Sequence, residues 1–147
     1  MKVPFLIGRI LFGGFFLKAG IDHLRHRQEM TPYVESKGIP KPGLAVTLSA
    51  VPLLVGGTSL VLGIKPKWGA LSILGFLTAV SPLMHGFWQS EDPQERANSK
   101  NHFMKNMALA GGALALMSIK EPWKASVPVA QPSLVDQIRS IGRDIAA

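Results

Sequence analysis

The 147-residue chain contains no cysteine, and only 17% of its residues are charged. Without cysteine it can form no disulfide, no thiolate metal site and no iron–sulfur cluster, and it has no cysteine nucleophile. Soluble domains usually carry about 25% charged residues, so this low value together with 47% hydrophobic residues disfavours an ordinary soluble domain. The net charge of +7 has the sign expected of a nucleic-acid-binding protein, but the positions of the charges indicate a different explanation.

Aspartate and glutamate are absent from the four long apolar runs of the sequence, residues 3–20, 43–64, 68–88 and 103–119. A helix crosses the hydrocarbon layer of a bilayer in about 20 residues. The runs therefore predict an all-α membrane protein whose residues 1–119 form a bundle of four transmembrane helices. A soluble bundle of buried helices is the alternative, and it is disfavoured because residues 43–64 offer no polar face.

The basic residues lie mainly at the ends of these runs. Arg9 and Lys18 interrupt the first run, which favours a retained span over a cleaved signal peptide. The short turn at residues 65–67 carries two lysines and favours both termini in the cytoplasm. The positive charge then reflects membrane orientation, and no nucleic-acid partner is expected.

The sequence after the fourth run has a different character. Residues 120–132 contain three prolines and predict a linker. Residues 133–147 predict an amphipathic C-terminal helix with apolar side chains at helical spacing, namely Leu134, Ile138, Ile141 and Ile145. A lone helix of about 15 residues is marginal in water, so we expect it to lie on the membrane or dock on a partner. A frayed tail is the alternative.

Tryptophan and glycine positions agree with a bilayer. All three tryptophans lie at run boundaries, where indole rings favour the headgroup zone, and we expect Trp68, Trp88 and Trp123 to be interface anchors. Glycine pairs lie inside three runs, where they let helix backbones approach closely; they are Gly13-Gly14, Gly56-Gly57 and Gly111-Gly112. These glycine-rich faces are expected to pack helices within the chain or between copies.

Arg9 is the strongest candidate for a functional side chain. It lies roughly 9 Å inside the first run by helical rise, and Gly13, Phe16 and Gly20 share its face, which should point into the bundle. A charge at that depth is costly unless it is paired, hydrated or able to reach the interface. Two interpretations remain open: a cation lining a pocket for an anion or a quinone oxygen, and an arginine extending back to the headgroups.

Other polar residues lie where runs begin or end. Lys18 and Asp22 are spaced for an ion pair along one helix. Three histidines, His23, His85 and His102, should share one membrane face, as a ligand or proton-handling site or as ordinary interface residues. The complete candidate pocket set is Arg9, Lys18, His23, His85, Lys105 and Asn106. No catalytic residue is identified, and no metal site is expected because the ligand spacings are missing.

Six short motifs follow one another along the chain: Gly8-Arg9, residues 18–23, residues 37–42, Gly56-Gly57, His85 and Lys105-Asn106. Their order is more specific than any single motif. From Phe5 to Ser118 the chain resembles the DoxX/DoxD family of small bacterial four-helix membrane proteins. The resemblance implies a multi-pass inner-membrane protein and, in some members, a subunit of oxidoreductase assemblies such as thiosulfate:quinone oxidoreductase. Members commonly carry an acid in the second span shortly before the Gly-Gly pair, whereas residues 51–55 contain none. If that acid pairs with the first-span arginine in those members, Arg9 needs another partner here.

Three functions are compatible with these features. The first is a non-catalytic subunit that anchors or couples a redox partner near quinone, as the resemblance, the lack of cofactor motifs and the docking tail favour. The second is a small carrier of organic anions with its pocket around Arg9. The third is a quinone-handling enzyme that uses Arg9 and the histidines. We rank the three functions in this order. The sequence contains no cofactor-binding motif, and quinone is the cofactor that the ranking leaves as a candidate.

Overall fold

The computed structural model describes residues 3–123 and 126, which form five α-helices and one short 3-10 helix. The α-helices are α1 (Val3–Arg25), α2 (Arg27–Ser36), α3 (Pro42–Leu62), α4 (Pro66–His85) and α5 (Pro93–Met117), and the 3-10 helix Phe87–Gln89 follows α4. These residues include no strand, so the all-α prediction is confirmed for this part of the chain. The predicted tail helix, residues 133–147, lies outside the described residues.

Three helices of the described chain are long and apolar enough to cross a membrane: α1, α3 and the continuous segment Pro66–Gln89. They correspond to the first three predicted runs, with ends shifted by a few residues. The helix α5 falls outside this set because residues 93–102 are polar. The apolar part that remains, residues 103–117, has a length of only about 22 Å by helical rise.

The helix α3 lies between α1 and α4 and contacts both through its paired glycines. A methyl group at Gly57 would lie 2.7 Å from the carbonyl oxygen of Gly13 in α1. A methyl group at Gly56 would lie 2.7 Å from the carbonyl oxygen of Gly69 in α4. Only glycine permits these two backbone contacts, so the predicted role of Gly13 and of the Gly56-Gly57 pair in helix packing is confirmed within the chain.

A tight turn joins α3 to α4 and makes them antiparallel. Gly63 ends α3 with a φ of 73°, in the left-handed region that favours glycine. The amides of Gly63 and Ile64 both donate to the carbonyl of Ser59, at 2.8 and 3.1 Å. The Ser59 hydroxyl donates in turn to the carbonyl of Ile64 at 2.7 Å.

The α5 helix begins ten residues before the predicted run. The Asp92 side chain accepts a hydrogen bond from the Glu95 amide at 2.9 Å, and Pro93 occupies the first turn. An aspartate cap, a proline in the first turn and a glutamate three residues after the cap are an N-terminal helix signature. The sequence therefore contained the signal for this boundary. The short helix α2 begins at Arg27, directly after α1, and contains Pro32.

The alternating helix directions define two ends of the bundle. The Arg9 end contains the start of α1, the α3–α4 turn and the end of α5. The His85 end contains the end of α1, α2, the start of α3, the end of α4 and the start of α5. The core between the helices is apolar and includes Phe16, Leu53, Leu60, Ile73, Leu77 and Ala110.

Candidate functional site

Arg9 is buried at the Arg9 end, with only 2% of its surface exposed. Its Nη2 donates to the carbonyl oxygen of Val61 in the last turn of α3 at 3.3 Å. Its guanidinium carbon lies 5.7 Å from the centroid of the Trp123 ring. The buried residues of α1 are Arg9, Gly13, Phe16 and Gly20, so the face predicted from helical spacing is the one that packs inward.

The segment after α5, residues 118–123, covers Arg9; we call it the capping segment. Trp123 is 4% exposed, and its ring meets Phe5 of α1 edge to face at 5.1 Å. The Glu121 carboxylate accepts a hydrogen bond from the Lys67 amide at 2.9 Å, which fastens the segment to the start of α4. The sequence had indicated a linker here and an interface anchor at Trp123. The structure instead buries that indole, because the chain turns back onto α1.

The other two tryptophans are exposed. Trp68 is 70% exposed at the start of α4, and Trp88 is 50% exposed in the 3-10 helix after α4. They lie about 30 Å apart along the helical segment by residue count, close to the thickness of the hydrocarbon layer. Both positions suit the anchoring role that the sequence suggested.

The contacts between α1 and α3 show where each polar side chain of α1 lies along the length of the bundle. Arg9 lies level with the end of α3, since it contacts Val61, and the first two turns of α1 extend beyond this level. Gly20 lies against the backbone of Leu54, near the middle of α3. Residues expected near the end of the first span are therefore about halfway along α3.

His23 is one of these residues. Its Nδ1 lies 2.7 Å from the Ser49 hydroxyl, and its ring lies 6.1 Å from the Phe76 ring. The Ser49 hydroxyl has one proton, which it donates to the Val46 carbonyl at 2.7 Å. When the hydroxyl proton points to the Val46 carbonyl, the Nδ1–H tautomer of neutral His23 pairs with the Ser49 oxygen, and in this tautomer Nε2 is a hydrogen-bond acceptor.

The predicted ion pair between Lys18 and Asp22 is present one helical turn apart on α1. It is on the outer surface of the bundle, where 76% of the Lys18 side chain is exposed. Lys18 does not approach Arg9, because the two side chains leave α1 on different faces: Arg9 is buried and Lys18 is exposed.

A second polar group lies at the His85 end. The rings of His85 and His102 stack with their centroids 4.9 Å apart and an angle of 16° between their planes. The Lys105 ammonium lies 3.3 Å from the Nδ1 of His102, to which it donates. Lys105 is exposed, whereas its neighbour Asn106 is buried on the α5 face that also contains Ala110 and Ala113.

The six candidate residues are therefore spread over separate places. Arg9 and His23 are 14 residues apart on one helix, about 21 Å by helical rise. His23 lies at the level of Phe76, nine residues and about 14 Å before His85 on α4. The described residues form three distinct sites: Arg9 beneath the Trp123 ring, His23 with Ser49, and the stacked His85 and His102 with Lys105. Of the three histidines expected on one face, His85 and His102 stack, whereas His23 lies about 14 Å from the level of His85 by helical rise.

The sequence profile of the family described as DoxX matches residues 5–86, more than half of the chain. The match includes α1 to α4, with Arg9, Lys18, His23 and His85, and it ends before α5 and the capping segment. No curated protein and no solved structure is significantly similar to the chain.

Proposed function

The chain belongs to the DoxX family, and we propose on that basis that it is a non-catalytic subunit that anchors an oxidoreductase to a bacterial inner membrane. The partner in this proposal carries the redox cofactor and passes electrons to quinone. The apolar helices of the chain fit an integral membrane protein, which is the part of the proposal with the broadest support.

The proposal treats α5 as a fourth span, with the start of α1 and the end of α5 on the cytoplasmic side. Residues 103–117 are shorter than a usual span, but the exposed Lys105 is at the end where its ammonium can reach the interface. Lys65 and Lys67 lie at the Arg9 end, and positively charged loops favour the cytoplasm.

The contact between Arg9 and Trp123 is the observation that carries the proposal. It fixes the capping segment on the bundle, so the remaining chain, residues 124–147, leaves from a defined place. Because Trp123 is fixed on the bundle, a partner that binds the residues after it is kept at the Arg9 end, which is the cytoplasmic end in this proposal. The apolar residues Leu134, Ile138, Ile141 and Ile145 would form the docking face in this proposal.

The same contact weighs against a carrier with its pocket around Arg9. The guanidinium is covered by the Trp123 ring and lies level with the α3–α4 turn, so a transported anion would first have to displace the capping segment. The close backbone contacts at Gly57 and Gly56 also fill the space between α1, α3 and α4.

Quinone enters the proposal as the electron acceptor of the assembly. His23 is the described residue that fits it best, because its free Nε2 can accept a hydrogen bond from a quinol hydroxyl. A half-buried position about a third of the way along α3 also suits a lipid-soluble substrate. In this proposal two electrons from the partner and two protons from water reduce the quinone, and His23 binds the quinol product.

The proposal is tested by following quinone-reductase activity in cells that lack the chain. We expect the partner's activity to move from the membrane fraction to the soluble fraction and to return when the chain is restored. A chain with Trp68→Ala should restore membrane association, since that indole is exposed and distant from the cap. An unchanged distribution of every quinone-reductase activity would contradict the anchoring role.

A further inference from the structure

We propose that the outer face of α1, which includes the Lys18–Asp22 ion pair, is an interface between two copies of this chain. This inference is independent of the redox role proposed above. It comes from where the ion pair lies along the bundle and from what surrounds it on the surface.

The height of the pair follows from the contacts of its neighbours. Leu17 lies against Gly57 and Gly20 lies against Leu54, so Lys18 between them is level with the middle of the 21-residue α3. Asp22 adjoins His23, which bonds Ser49 seven residues after the start of α3. Because α3 is a candidate membrane span, the ion pair lies well inside the hydrocarbon layer.

The pair also faces outward at this height. Most of the Lys18 side chain is exposed, and about a third of the Asp22 side chain is exposed. Charged side chains within a membrane almost always face protein or a water-filled cavity, because lipid cannot solvate them. A surface ion pair near the middle of the bilayer therefore indicates a face that another polypeptide covers.

The rest of this face has the spacing of a helix–helix seam. Gly8, Leu11, Phe15, Lys18 and Asp22 follow one another at intervals of four and three residues. Leu11 and Phe15 are 68% and 54% exposed, and a methyl group at Gly8 would meet no atom within 4 Å. Alternating intervals of three and four residues are the pattern by which two parallel helices pack side by side.

Charge complementarity identifies the second copy as the occupant. Two copies related by a twofold axis along the membrane normal place their α1 helices side by side and parallel. Each Lys18 can then lie between its own Asp22 and Asp22 of the partner subunit. The resulting group of two lysines and two aspartates has no net charge and is shielded from lipid by both helices.

Cross-linking tests this directly, because the natural chain has no cysteine. A Leu11→Cys variant of the full chain, oxidised in native membranes, should form a disulfide-linked dimer of twice the chain mass. The matched control is Leu48→Cys, an exposed leucine of α3, which should remain monomeric. The interface is refuted if Leu11→Cys stays monomeric, cross-links no better than the control, or links only to a protein of different mass.

Charge exchange between copies tests the ion pair itself. In the Leu11→Cys background, Lys18→Glu should lose the dimer because four acids would meet, and Asp22→Lys should lose it because four bases would meet. Both variants also break the pair within the chain. Co-expression of the two variants with different tags should restore a mixed dimer only if the charges meet across the interface.

Two results would overturn this part of the inference. One is a dimer that persists in both single variants, and the other is a mixture that forms no mixed dimer although both variants are present in the membrane. An uncharged variant, Lys18→Met with Asp22→Leu, provides a check on folding. It should insert normally, and its dimer should survive at least in part because the apolar seam is intact.

Discussion

The guanidinium carbon of Arg9 lies 5.7 Å from the centre of the Trp123 ring, so α1 and the segment after α5 share one buried contact. Cation–π contacts contribute from about 0.5 kcal/mol at exposed sites to about 2 kcal/mol where the partners are desolvated. Both partners here are buried, which favours the upper part of that range. The contact closes the bundle at the Arg9 end and sets the point from which the C-terminal residues depart.

Replacing Trp123 by alanine should destabilise the protein strongly. The change removes the ring that packs on Phe5 and Arg9, and loss of a buried aromatic side chain typically costs about 3–5 kcal/mol. Thermal unfolding in mild detergent should show a clear fall in Tm, and limited proteolysis should cut after α5 more rapidly. The control is Trp68→Ala, because the Trp68 ring is exposed. Equal falls in Tm for the two variants would contradict the packing of Trp123 on α1.

The glycine contacts of α3 predict a difference between two Gly→Ala substitutions. At Gly57 the new methyl group would lie 2.5 Å from the Leu17 amide and would force α1 and α3 apart, at a cost of about 1–3 kcal/mol. At Gly75 it would meet no atom within 4 Å, so Gly75→Ala should be neutral or slightly stabilising. Denaturation midpoints in the same detergent measure both, and a harmless Gly57→Ala would contradict the packing described for α3.

The cap of α5 can be tested at Asp92. Asp92→Ala removes the acceptor of the Glu95 amide and should cost about 1 kcal/mol of helix stability. Amide hydrogen exchange should accelerate in the first turn of α5, whereas Asp92→Asn should largely retain protection because asparagine also caps helices. Glu91→Ala removes a charge one residue before the cap and should leave amide exchange unchanged. If exchange were equally fast in Glu91→Ala and Asp92→Ala, loss of negative charge and not loss of the cap would explain it.

His23 is predicted to be the quinol-contacting residue. His23→Phe keeps a ring but removes the Nε2 acceptor, so binding of a quinol analogue to the protein in lipid nanodiscs should weaken. His26→Phe is the matched control, since His26 is exposed at the junction of α1 and α2. Equal affinities of the two variants would remove His23 from the proposed quinol site while leaving the anchoring role open to its own test.

The sequence predicted those features that depend on one helix at a time. Residues 43–64 were recognised as a span because they contain no ionisable side chain, and the inward face of Arg9 followed from its helical spacing to Gly13 and Phe16. The burial of Trp123 was beyond prediction, because it results from a fold-back onto Phe5 that no local pattern encodes. The mid-height position of Lys18 likewise depends on the Gly13–Gly57 contact between two helices.

The start of α5 was missed for a different reason. The Asp92-Pro93 signature was present in the sequence, but the polar composition of residues 93–102 outweighed it. A helix that extends beyond the bilayer needs no apolar residues in its exposed turns. Helix capping was therefore the better guide to this boundary than hydropathy.

The most direct test of the anchoring role is purification of the tagged full chain from native membranes in mild detergent, with the absorbance of a redox cofactor as the readout. The natural chain and Trp68→Ala should each retain a cofactor-bearing oxidoreductase in constant proportion to the chain. Trp123→Ala, assayed at a temperature where its helix content is unchanged, should lose that partner because the C-terminal segment no longer leaves from a fixed place. Recovery of the natural chain without any redox partner, or undiminished recovery of the partner with Trp123→Ala, would contradict the account.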